Sequence, residues 1–274
     1  MLERIALKSL FFRRMTFLLR SEHITSWWRV QILTISLLLA TCLLSVQRCA
    51  AQDNNEEKTS SEPTTRPGES VELLADDLAS KWELFSSREG VRIRDVWKIV
   101  KVNEERQLVC LGTPKGFLST KQTFDNFELS FEWMYPSDAN GNSGVLIYTK
   151  HEPRLWPTSM QVQLHQPQSG ALFATGDAVS NKPFDAGLAG KVGEWNKCKI
   201  RSLNGRLAVE INGQKAGQLE GCRPSAGRIA IQSEGSETHF RRLRLKTLII
   251  VKAEDEKTAS TDKVPTKPEK PEDS

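Results

Sequence analysis

Three short runs between Phe124 and Gln166 constrain this chain more than any other feature. In the first, Phe127, Leu129, Phe131 and Trp133 alternate with Glu128, Ser130, Glu132 and Met134. In the third, Met160, Val162 and Leu164 alternate with Gln161, Gln163 and His165. Successive strand side chains point to opposite faces, so each run predicts a strand with one face on a core. The middle run, Ser143 to Thr149, is mostly apolar, with Asn142 and Tyr148 on one parity. If the three strands pair, Glu132, Asn142, Tyr148, Gln161, Gln163 and His165 gather on one sheet face. Amides, a carboxylate, a phenol and an imidazole on one surface suit a ligand covered in hydroxyls, which makes carbohydrate the expected partner.

The rest of the body repeats the pattern. Trp82–Phe85, Trp97–Val102, Gln107–Leu111 and Gly116–Thr120 read as strands, as do Lys197–Ser202, Arg206–Ile211, Arg228–Gln232 and Phe240–Thr247. Asn204-Gly205 is a strong hairpin signal and Asn212-Gly213 a second turn. Many short strands with Gly/Asn turns and no long helical pattern predict an all-β fold, a two-sheet antiparallel β-sandwich. No internal repeat of the propeller or solenoid kind is present.

Both ends of the 274-residue chain read differently. Residues 1–51 carry seven Lys/Arg against Glu3 and Glu22, which leaves 31 basic and 32 acidic residues elsewhere. The net charge of +4 therefore belongs to the leader, and the body has no basic excess to attract nucleic acid. Val30 to Val46 is an apolar run of 17 residues, followed by Cys49-Ala50-Ala51 ahead of Gln52. That reads as a cleaved signal peptide or an uncleaved N-terminal anchor, with export expected either way and membrane contact only through this segment. Residues 52–69 are too polar to offset the entropy of ordering and read as a linker; 251–274 read as a tail of similar composition. One domain, 70–250, is expected between them.

The candidate chemistry sits in the central stretch. His165 ends a strand on its polar parity, where a neutral imidazole can take a proton. Glu132 lies between Phe131 and Trp133, where shielding would raise its pKa. Trp156, in a loop beside Pro157, is the platform candidate for a sugar face; Trp133 shares the core parity and Trp195 is open. Asp138 to Gly144 has D-x-N-x-N spacing but Ser143 and Thr149 where a calcium loop needs Gly and Glu, so a tight turn is the better reading. Cys110, Cys198 and Cys222 are odd in number and read as small core residues. No paired-carboxylate motif, nucleophile elbow, P-loop or dinucleotide fingerprint occurs.

Several short motifs, in order, give a family resemblance. They are Phe127-Glu128-Leu129 with Glu132-Trp133, Asn142-Ser143-Gly144-Val145, and Trp156-Pro157-Thr158 leading to Val162-Gln163. Gly193-Glu194-Trp195-Asn196, Ile211-Asn212-Gly213, Gly227-Arg228-Ile229 with Ile231-Gln232, and Phe240-Arg241 follow. Over about residues 72–248 the chain resembles the 3-keto-disaccharide hydrolase-like domain family, whose members look like concanavalin A-type lectin/glucanase sandwiches of the jelly-roll kind. The resemblance implies cleavage of an oxidised glycoside. A ketone at C3 acidifies the C2 proton, a base removes it, the group on C1 leaves, and water adds afterwards. Such a site needs a base, a stabiliser for the enolate, and an acid or a divalent metal for the leaving oxygen. Parity and chemistry suggest His165 or Glu132 as base and Asn142, Tyr148, Gln161, Gln163 and Trp156 as substrate contacts; cofactor use stays open. The chain departs from the family pattern. Gln161 stands where Glu is usual, Gln166 and Pro167 where an acidic residue is frequent, Tyr148 for Arg, and Arg242 for Asn. Amides bind hydroxyls but do not exchange protons as carboxylates do. A glycoside-cleaving hydrolase, a lectin-like binding module and a tethered interaction domain all remain open on these residues.

Overall fold

A computed structural model describes residues 62–251. Its strands are β1 (Thr65–Glu72), β2 (Trp82–Ser86), β3 (Trp97–Val102), β4 (Glu105–Cys110), β5 (Gly116–Thr120), β6 (Phe127–Met134) and β7 (Gly144–Thr149). They continue as β8 (Ser159–Gln163), β9 (Leu172–Thr175), β10 (Asn196–Leu203), β11 (Arg206–Ile211), β12 (Gln214–Leu219), β13 (Arg228–Ser233) and β14 (Thr238–Ile250). The α-helix among them is one four-residue turn, α1 (Ile93–Val96), which leads directly into β3.

Two antiparallel sheets face each other. One runs β12-β11-β10-β6-β14-β4-β3, with β1 also on β14; the other runs β2-β5-β13-β7-β8-β9. The all-β sandwich expected from alternation is the observed fold. All the predicted strands are present, and β1, β9 and β12 are additional. β1 starts at Thr65, inside the stretch expected to be linker, because its backbone finds Ile250 to Arg244 of β14 as a partner. Residues 1–61 and 252–274, which hold the predicted leader, most of the linker and nearly all of the tail, lie outside the described residues. Among those described, no helix is long and apolar enough to cross a membrane.

The core is built as the alternation demands. On β6, Phe127, Leu129, Phe131 and Trp133 are all buried, and they meet Ile147, Met160, Val162 and Ile231 from the other sheet in one cluster. Phe131 packs against Trp133 and Phe240 with ring centroids 6.0 and 6.2 Å apart. Each large side chain so buried contributes about 1.5–3 kcal/mol. Asn204-Gly205 and Asn212-Gly213, all at positive φ, close the β10–β11 and β11–β12 hairpins as predicted. Cys110, Cys198 and Cys222 are free and buried.

Two bulges break the alternation. Tyr148, at φ 57°, sits where the β13–β7 register shifts between Arg228 and Ala230. Arg242, at φ 54°, sits where the β14–β6 register shifts between Arg241 and Arg244. An inserted residue turns a side chain to the face its sequence parity would deny it.

Candidate functional site

The outer face of the six-stranded sheet carries the polar residues of β8. Gly144 of β7 is paired with Gln163, and Leu146 with Gln161. On the other side of β7, Val145 pairs with Ile231, which brings Gln232 of β13 alongside Gly144. A methyl group added to Gly144 would run into Gln232 Oε1 and stand 3.1 Å from Gln161 Nε2. Three glutamines from two strands therefore converge above one bare backbone position. Gln161 Nε2 donates to Gln163 Oε1 over 3.4 Å, and Gln232 is almost fully buried.

The loops at this end fix the remaining groups. The Ser143 hydroxyl donates to the Gln232 carbonyl (2.8 Å), and the Asn142 N–H donates to Ser236 Oγ (3.0 Å). Ser236 Oγ in turn donates to Asp138 Oδ2, whose other oxygen accepts the Asn140 N–H. The Asp138–Gly144 segment is thus a turn held by its own aspartate. Tyr135, buried at the end of the first sheet's chain path, donates its hydroxyl to the Leu164 carbonyl (2.9 Å). That anchors the residue before His165, whose own carbonyl accepts the Ser169 hydroxyl (2.9 Å). His165 Nδ1 lies 3.2 Å from Gln168 Oε1.

Glu234, two residues beyond Gln232 on the same parity, completes the edge. Burial pushes its carboxyl above the ordinary value of 4.5, offset in part by charge on Lys115 and His165. The Asp138 carboxyl goes the other way, held down by the Ser236 hydroxyl and the Asn140 N–H, with His165 adding to the effect. Six buried side-chain polar atoms among the described residues lack a hydrogen-bond partner. Four belong here: Asn142 Oδ1, Gln232 Nε2, Gln232 Oε1 and Glu234 Oε2. Such atoms are costly when left unmet, so their concentration at one edge marks a place shaped for a polar ligand.

The sequence-predicted residues divide. Gln161 and Gln163 lie side by side across from β7, the His165 N–H donates to Gln163 Oε1, and the Asn142 N–H is held by Ser236 at the same end. Glu132 stands apart. Its strand β6 pairs with β10 and β14 in the opposite sheet, and its carboxylate bridges Arg241 (2.6 Å) and Arg242 (3.0 Å) on that sheet's outer side. Tyr148 is also corrected: the bulge turns it into the core, fully buried, with its hydroxyl 2.5 Å from Ser202 Oγ. Trp156 is 39% exposed on the β7–β8 loop, at the far end of the strands from His165. Trp195 lies under the Arg241 guanidinium, 4.1 Å from its ring centroid. Gln232 and Glu234 were missed. Their signal was the alternation of Arg228, Ala230, Gln232 and Glu234, which has no address until β13 is known to lie beside β7.

Among the described residues no three His, Cys, Asp or Glu side chains converge as a metal-ligand set. The Asp138 carboxylate is taken up by its own turn and by Ser236.

A family model described as the 3-keto-alpha-glucoside-1,2-lyase-like domain matches residues 72–246. The chain belongs to that family. The match covers β1's last residue through most of β14, hence both sheets and the whole amide edge of this lyase-like domain. Among solved structures, a candidate glycosyl hydrolase from Parabacteroides distasonis is 18% identical, with TM-score 0.49, covering 66% of this chain and 94% of its own. The carbohydrate-binding module CBM66 of Bacillus subtilis is 9% identical, with TM-score 0.43 and coverages of 60% and 94%. The β-glucanase of Bacillus licheniformis is 9% identical, with TM-score 0.43 and coverages of 69% and 99%. No match was found among curated proteins.

Proposed function

We propose that this domain cleaves 3-keto-glycosides by elimination at the amide edge of the six-stranded sheet. The observation that carries the reading is the group of four unpartnered buried polar atoms on Asn142, Gln232 and Glu234. With Nδ1–H donated to Gln168 Oε1, His165 keeps Nε2 free as the base that takes the C2 proton. The C1–O bond breaks as the C1–C2 double bond forms, and the departing oxygen takes a proton from Glu234, whose carboxyl burial pushes above the ordinary value. Gln232 and Gln161 offer N–H donors to the developing C3 enolate, Asn142 Oδ1 accepts from a sugar hydroxyl, and Gln163, whose Oε1 is already taken by protein N–H groups, donates its Nε2–H to another. Water adds to the double bond afterwards, returning a proton to C2. Gln161 and Gln166 need not be acids in this scheme. Gln166 Nε2 donates to the Gly190 carbonyl (2.6 Å), a structural bond that a carboxylate could not make.

Export belongs to the same reading, supported by the basic leader and apolar run of residues 1–51. A second reading, carbohydrate binding without turnover, is favoured by the amide in place of the family's usual Glu at Gln161. The test is turnover of the full chain on matched disaccharides with and without a C3 ketone, with products read by nuclear magnetic resonance. Release of the leaving sugar from the ketone alone supports the lyase reading. Binding of both with release from neither replaces it with the lectin-like one.

A further inference from the structure

The outer face of the six-stranded sheet continues beyond the amide edge. Phe117, Leu146 and Ala230 form an apolar cluster separate from the main core, with Phe85 packed against it. Among the described residues no strand covers this face, and Leu146 and Ala230 are almost wholly buried by neighbouring side chains. Beside this cluster lies a hollow of about 310 Å³, whose lining includes Glu83, Phe85, Phe117, Ser119, His151 and Arg228. That volume is at the lower end of ligand pockets. Phe117 pairs directly with Gln232 and Phe85 with Phe117, so the aromatic pair stands one and two strands to the side of the amide edge, about 5 and 10 Å at strand spacing, within reach of a second ring linked to one over Gln232.

The walls of this hollow have a definite chemistry. Phe85 and Phe117, paired across β2 and β5, stack with centroids 5.0 Å apart and planes 18° from parallel. Phe85 is only half-buried, so its ring offers the next place in an offset stack. Arg228 is bonded to the Glu83 carboxylate, with His151 Nδ1 3.8 Å from the same carboxylate. Glu83 lies directly opposite Ser119, so a carboxylate and a hydroxyl stand side by side at the rim. Aromatic wall and acceptor rim together fit a ring that is flat, apolar on its faces and hydroxylated at its edge.

We propose that this hollow is the leaving-group subsite and that it takes a phenolic aglycone, the sugar ring lying over Gln161, Gln163 and Gln232. The proposal rests on the glycoside-cleaving reading for its direction. With His165 and Glu234 at C2 and C1, the group on C1 extends from Gln232 across Phe117 toward Phe85.

Two measurements on the full chain separate this from the reading it rests on. Binding of unoxidised 4-hydroxyphenyl glucoside, followed by saturation transfer from protein aromatic protons, needs no turnover. It is expected for the wild type and lost in Phe85→Leu and in Glu83→Gln, the second chosen because it leaves the apolar wall intact. The relative kcat/KM for 4-hydroxyphenyl and methyl 3-ketoglucosides is the second measurement. The aryl substrate is expected to be favoured about tenfold or more, the advantage falling to near unity in Phe85→Leu with the methyl substrate unaffected. Failure to cleave any ketoglycoside while the aryl glucoside still binds through Phe85 removes the catalytic reading and keeps the subsite. Equal rates on both substrates, an equal loss on both in Phe85→Leu, or a loss as large on a disaccharide as on the aryl substrate, overturns the phenolic assignment.

Discussion

Gln232 holds its carboxamide over Gly144 of the neighbouring strand, in space that any side chain at 144 would take. The glutamine is buried, and neither of its amide atoms has a protein partner. Gly144→Ala should therefore displace the free end of Gln232 rather than the backbone. The expected result is a small change in Tm, with a rise in KM of about tenfold as one substrate hydrogen bond is lost. Thermal melts and steady-state kinetics on the same preparation check both.

Glu234 couples activity to stability through its raised pKa. The native state holds this proton more tightly than the unfolded chain does. Ionisation thus costs native stability, a cost absent below the unfolded value and complete above the raised native one. Glu234→Gln should melt higher than wild type above the ordinary carboxyl range and alike below it, while turning over more slowly at every pH. In the wild type, kcat should fall as the pH rises through the native pKa of Glu234, and that limb should vanish from the residual activity of the variant.

Tyr148→Phe tests the correction made by the β7 bulge. Removing the hydroxyl leaves buried Ser202 without its 2.5 Å partner, for a loss of about 1–2 kcal/mol in denaturant unfolding. Kinetic constants should not move, because Tyr148 points between the sheets.

Glu132→Ala should behave in the same sense for a different reason. The Glu132 carboxylate and Glu105 are shared by Arg241 and Arg242, whose guanidiniums reach one side only because the β14 bulge puts neighbours on the same face. Loss of Glu132 is expected to cost about 1–3 kcal/mol of stability, with kcat/KM unchanged on any glycoside.

These last two variants mark where the sequence stopped being legible. Alternation along β6 and β8 located the core, because each buried Phe, Trp, Val or Leu had to face it. It located Gln161, Gln163 and His165 on one face for the same reason. It could not tell that β6 leaves for the other sheet, since pairing of β6 with β10 rather than β7 is decided by residues 63 to 75 positions away. Nor could it see that Tyr148 takes a left-handed backbone, because nothing in Ile147-Tyr148-Thr149 announces a bulge. Gln232 and Glu234 were visible as alternating residues, but only the β13–β7 pairing puts them beside Gly144.

The central claim is that His165 removes the proton on C2 at the amide edge. In deuterium oxide, the full chain acting on a 3-keto-glucoside should give a hydrated product carrying deuterium at C2, while His165→Ala should slow that incorporation about a hundredfold or more with the fold intact by circular dichroism. Product that retains its original C2 hydrogen, or incorporation by His165→Ala at the wild-type rate, would contradict the account.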